Sequence, residues 1–153
     1  MYKAGEFVAE HISDVSSYQI QPNGVDLTVG SIYEQTEPGF LGAQEKSIGE
    51  RTVVAEDDDL IQLTPGKYII QYNEVIEIPS GHVGFVYPRS SLMRNSCMIN
   101  TAVWDAGYKG RGEGLLTVNR ELHMESNARI AQIVFSEAQH ESKYNGNYQN
   151  ENI

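Results

Sequence analysis

Residues 67–88 read KYIIQYNEVIEIPSGHVGFVYP. The first half is rich in β-branched and aromatic residues, and Tyr68, Ile70 and Tyr72 fall on one side at a period of two. Pro79, Ser80 and Gly81 then break the run, and Val83, Phe85 and Tyr87 resume the alternation. Two strands around a turn are the direct reading. Working outward, 113–124 (EGLLTVNRELHM) and 128–135 (ARIAQIVF) read as further strands, and Pro65-Gly66 and Ser126-Asn127 as turns. Short strands at this spacing predict an all-β chain, a β-barrel or jelly-roll-like domain. The first dozen residues predict a short N-terminal helix, because Phe7, Val8 and Ile12 recur helically.

The chain has 153 residues, enough for a single domain over 1–153 with its own core. Its formal charge is -10, which argues against nucleic acid as a partner. A bound polyanion therefore needs a local cationic pocket or a metal. The one cysteine, Cys97, excludes an internal disulfide framework. No apolar run approaches a membrane span or a signal peptide, so a soluble cytoplasmic protein is expected, with no membrane partner. The acidic run 56–59 reads as a solvated loop in preference to a metal cluster. The polar, Asn-rich stretch 140–153 reads as a flexible tail, and Tyr144 and Tyr148 predict that it orders over something. The four histidines show no metal-ligand spacing.

Four segments concentrate polar groups beside glycines. In 21–30 (QPNGVDLTVG), Asp26 is either a turn acceptor or part of a site. In 84–94 (GFVYPRSSLMR), a strand runs into Arg89, Ser90 and Ser91, with Arg94 a helical turn later. Arginine presents a planar fork suited to phosphate oxygens. The alternative is a helix capped by a serine beside an ordinary surface arginine. In 100–114 (NTAVWDAGYKGRGEG), Asp105 ends an apolar run, Tyr108 follows three residues on, and four glycines crowd behind. A carboxylate so held suits a general base; a hairpin turn with glycines chosen for geometry explains the same letters. In 128–135, Gln132 interrupts a buried-looking strand and needs partners, from neighbouring backbone or from a ligand.

Taken in order, NGVDL, YPRSSL, AVWDAGYKG and ARIAQIVF resemble the four motifs of the trimeric dUTPase and dCTP deaminase superfamily. The resemblance runs from about residue 20 to the end. QPNGVDLTVG and RSSLMR lean to the dCTP deaminase branch, which includes archaeal dUTPases and bifunctional enzymes. It implies a dUTP diphosphatase, giving dUMP and pyrophosphate, limiting uracil in DNA and supplying dUMP for thymidylate synthesis. Asp105 then activates water, and Tyr108 packs under the deoxyribose. Arg89, Ser90, Ser91, Arg94 and Gln132 hold the substrate. Asn100, Thr101 and Ala102 read the base, and Tyr148 and Gln149 belong to a tail that closes over the site. Mg²⁺ is the implied cofactor, with Asp26 touching it through water or else orienting the deoxyribose. The partners implied are a deoxynucleoside triphosphate and two further copies in a homotrimer. In the family's deaminases a strand glutamate shuttles protons beside the ring. Here that place holds Leu115 or Leu116, with Glu113 the nearest acid, which favours hydrolysis over deamination. Deamination, both reactions together, and a non-catalytic nucleotide-binding domain are the alternatives. Where the family's tail carries a lysine this chain has Asn147, with Lys143 as a substitute.

Overall fold

The structure is a computed structural model and describes residues 1–56 and 59–153. Seven strands carry the architecture: β1 Gly24–Gln35, β2 Arg51–Ala55, β3 Gly66–Tyr72, β4 His82–Pro88, β5 Cys97–Asn100, β6 Glu113–Val118 and β7 Arg129–Glu137. They pair antiparallel in the order β5-β6-β3-β1-β7-β4, and β2 and the short Ile20–Gln21 add to β1. The end strands β4 and β5 lie against each other, bridged by the helix α2, Ser90–Arg94. The sheet thus closes almost completely into the expected barrel, which leaves little free edge. A short N-terminal helix, α1 Gly5–Ala9, packs Val8 into the core as its periodicity predicts.

Alternation explains the closure. Tyr68, Ile70 and Tyr72 of β3 meet Leu116 and Val118 of β6 and Ile133 and Phe135 of β7 in one interior. Leucine, isoleucine and aromatic side chains there are essentially solvent-free, the main source of fold stability. A bulge between Arg129 and Ala131 lets Ile130 and Ala131 both point inward. On β4, Val83, Phe85 and Tyr87 do share a face, but it is the outer one; Gly84 and Val86 face the interior. The turns at Gly81 (φ 77°) and Asn127 (φ 62°) take the left-handed backbone their residue types favour.

The central strand β1 was not anticipated. Its sequence carries Asp26, Thr28 and two glycines, and the reading above names no strand there, only a turn acceptor or a site residue at Asp26. In the barrel both its faces are covered: Val25, Leu27 and Val29 inward, Asp26 and Thr28 beneath flanking segments. The helix α2 also starts differently. Its N-cap is Arg89, with no side-chain cap bond, so neither serine caps it. The acidic run 56–59 lies partly outside the described residues; of its members, Glu56 accepts a hydrogen bond from Ser31 Oγ at 3.0 Å. Among the described residues no helix is long and apolar enough to cross a membrane.

Candidate active site

Two polar constructions stand on the barrel. The first is built on the ladder of β1, β7 and β4. Asp26 is 1 % exposed, and its Oδ2 receives Arg89 Nε at 3.1 Å, Arg129 Nη1 at 3.1 Å and Gln21 Nε2 at 3.3 Å. Burial pushes its carboxyl above the ordinary range, against the pull of the Arg89 and Arg129 guanidiniums. Gln132 stands directly across from both Asp26 and Tyr87 in the ladder, and its amide lies over Gly24. Ser90, Ser91 and Arg94 are exposed on α2 beside Arg89. Asp26 therefore orders two guanidiniums at the edge of an exposed hydroxyl-bearing surface.

Glu74, which sequence reasoning passed over, holds this strand from behind. It is buried, and both its oxygens accept from Thr28 N at 3.1 Å. Its Oε1 also accepts from Thr28 Oγ1 at 2.7 Å and from Gln19 Nε2 at 3.0 Å. The same Gln19 amide donates to the Asp26 carbonyl at 3.0 Å. Desolvation raises the Glu74 carboxyl, partly offset by the Thr28 and Gln19 hydrogen bonds.

The second construction is a cavity of about 800 Å³ beneath the tail. Its wall includes Ala102, Trp104, Asp105, Tyr108, Glu113 and Arg51. Asp105 sits in a loop, not at a strand end, and its side chain is exposed. Its carbonyl accepts from Tyr108 N at 3.1 Å, with Gly107 at φ 91° between them. This is a reverse turn requiring positive φ, so the turn reading holds and the turn itself delivers Asp105 and Tyr108 to one cavity. Gly112 is needed for room: a Cβ there would stand 2.1 Å from the Trp104 ring.

Tyr108 is buried, edge-on to Trp104 at 5.2 Å and to Tyr144 of the tail at 5.6 Å. Its hydroxyl donates to Glu151 Oε1 at 2.7 Å. Burial, then the carboxylate, push the phenol far above its ordinary value, so it stays a donor. Burial also raises Glu151, with Glu113 adding to the rise and Tyr108 and Arg51 opposing it. The tail is fastened by backbone: Tyr144 N to Ala106 O at 2.8 Å and Asn150 N to Lys109 O at 2.7 Å. Gln149 spans Lys109 N and the Gly107 carbonyl, which makes it a fastener of the tail. Tyr148 lines the cavity, whereas Lys143 packs against Gly107.

Asn100, Thr101 and Ala102 line an adjoining depression of about 320 Å³ with Glu113 and Leu115. Strand alternation settles which leucine stands there: Leu115 faces outward beside Asn100, and Leu116 is in the core. Glu113 shares the outward face but is gripped by Arg51 through two bonds of 3.0 Å. None of Asp26, Arg89, Ser90, Ser91, Arg94 and Gln132 lines the cavity. Sequence reasoning also missed Arg51, whose partner lies 62 residues away and leaves no local signal.

This barrel shape is shared with solved nucleotide enzymes. A 2′-deoxycytidine 5′-triphosphate deaminase from Agrobacterium tumefaciens matches at TM-score 0.67 and 20% identity, over 90% of this chain and 48% of that one. This chain thus spans about half of that longer one. A variant of Staphylococcus bacteriophage 80alpha dUTPase, solved with dUpNHpp, matches at TM-score 0.53 and 16% identity, over 89% and 95%. The fold is dUTPase-like. The dCTP deaminase-like family model matches residues 3–138, and the chain belongs to that family. Among its relatives, a probable deoxyuridine 5′-triphosphate nucleotidohydrolase of Halobacterium salinarum is 55% identical, across 99% of this chain and 95% of the relative. One of the same description from Aeropyrum pernix is 44% identical, across 90% and 89%.

Proposed function

We propose that the protein is a dUTP diphosphatase, hydrolysing dUTP to dUMP and pyrophosphate in the cytoplasm. The observation that carries this reading is the turn that sets the exposed Asp105 carboxylate and the buried Tyr108 ring on one cavity wall. The names of the archaeal relatives support it. Asp105 orients a water in line with the α-phosphorus and takes its proton. The new O–P bond forms as the α–β bridging bond breaks, and that electron pair leaves with pyrophosphate. Tyr108 walls the deoxyribose, and Asn100, Thr101 and Ala102 read the base through backbone groups. The outward position beside them is Leu115, which cannot move a proton, and Glu113 is committed to Arg51. Both facts favour hydrolysis over deamination.

The phosphate grip comes from Arg89, Ser90, Ser91, Arg94 and Gln132. Their absence from the cavity wall of their own chain supports a site completed by a neighbouring copy, in the homotrimer that the family resemblance implies. The tail, 140–153, acts as the lid. Mg²⁺ is the expected companion of the triphosphate, offsetting its charge. Among the described residues no three His, Cys, Asp or Glu side chains converge on a metal position, and Asp26 Oδ2 already faces two arginines. The described residues of one chain offer no metal cage, and the ion would be carried in by the triphosphate itself.

The test is incubation with dUTP and, separately, dCTP, each with Mg²⁺, assaying pyrophosphate and ammonia. Pyrophosphate from dUTP without ammonia from dCTP is the expected result. Ammonia from dCTP would overturn the reading and point to Glu113 or another group as the proton carrier.

A further inference from the structure

We propose that Lys46 is a substrate-binding residue of the cavity, delivering its ammonium to the terminal phosphates from a hairpin that faces the tail. The proposal rests on the nucleoside triphosphate reading above. It starts from the charges on the cavity wall, which are Lys46, Arg51, Asp105, Glu113 and Glu151. Three acids against two cations make a poor receptor for a polyanion, and Arg51 is already neutralised by its paired bonds to Glu113. Lys46 is the one lining cation with no carboxylate in ion-pair reach among the described residues.

Its ammonium instead lies 4.9 Å from the centre of the Tyr148 ring, on the tail. An exposed cation–π contact is weak, whereas a charge-assisted bond to a phosphate oxygen is among the stronger polar contacts. Arriving phosphate therefore draws the ammonium off the ring at little cost. The hairpin is suited to the movement. Phe40–Leu41 pairs with Lys46–Ser47 around a turn closed by Gly42 N to the Glu45 carbonyl at 2.8 Å. It is a separate two-stranded ribbon with exposed residues on both strands. The cavity mouth is thus closed from two sides, by the tail carrying Tyr148 and by the hairpin carrying Lys46.

The experiment compares wild type, Lys46→Ala and Lys46→Arg by titration calorimetry with dUpNHpp, dUMP and inorganic triphosphate, each with Mg²⁺. The expected result is about tenfold weaker binding of dUpNHpp and of inorganic triphosphate to Lys46→Ala, with dUMP changed less than about twofold. Lys46→Arg keeps the charge and restores most of the affinity. Equal weakening of dUMP and dUpNHpp would show a structural role, and unchanged triphosphate affinity would show a bystander; either overturns the proposal. The function reading fails separately. Wild-type protein that binds inorganic triphosphate but not dUpNHpp overturns the dUTP assignment, and the inorganic arm still decides Lys46. Wild type that binds neither sinks both.

Discussion

The arginine surface and the tail-covered cavity are built in opposite ways. Asp26, Gln132 and Tyr87 sit side by side in one row across three strands, and Glu74 clamps the central strand behind them. Asp26, Gln132, Arg89 and Arg129 there are fixed by backbone pairing or by a buried carboxylate. The cavity sets the 105–108 turn, the hairpin and the tail against strand residues such as Arg51 and Glu113, with an exposed Asp105. The first surface centres on a buried carboxylate that orders two guanidiniums, and the second on an exposed carboxylate carried by a turn.

Replacing Asp105 by Asn tests the cavity side most severely. Turnover should fall by about 10²–10⁴-fold, since a positioned base contributes that much, while the melting temperature stays put because the side chain is exposed. Pyrophosphate release at near wild-type rate would remove Asp105 as the base. Asp26→Ala attacks the other side. It strands two guanidiniums around a buried gap and should cost about 3 kcal/mol in urea unfolding, a loss at the low end for a broken buried pair because both arginines are partly exposed. A loss below 1 kcal/mol would mean the cluster is not held as described.

Glu74 gives a subtler contrast, visible in pH. Its folded carboxyl is raised above 4.5 by burial. As pH rises past 4.5 the unfolded chain gives up this proton while the folded chain keeps it, so stability falls until the folded group ionises too. Glu74→Gln should flatten that decline, measured by unfolding at a series of pH values. It should also lower stability by about 1–3 kcal/mol near neutrality, because an amide N–H₂ then faces donors from Thr28 and Gln19. Tyr108→Phe is the smallest change. It deletes one bond to Glu151, loosening the tail by about 1 kcal/mol, with faster hydrogen exchange at residues 144–152 and an unmoved barrel transition.

Much of the barrel is legible in the letters because alternation is local. Residues 66–72 and 82–88 announce their strands, and Gly81 and Asn127 announce their turns. The long strand β1 hides because its outward residues are polar yet covered, and burial by distant segments leaves no periodic trace. The ambiguity between Leu115 and Leu116 needed only a register, which β5 supplies. What no single chain position reveals is pairing across distance: Arg51 with Glu113, Glu74 with Thr28, Lys46 with Tyr148. For the same reason the letters place Asp105 and Arg89 in one list, while the fold sets them on different surfaces.

The aromatic column under the tail has a spectroscopic consequence. Trp104 is the chain's one tryptophan; it is buried edge-on against Tyr108, which in turn meets Tyr144. Lifting the tail strips Tyr144 from Tyr108 and admits water toward a single indole. If the tail works as the proposed lid, emission from that indole reports its opening directly, without a label.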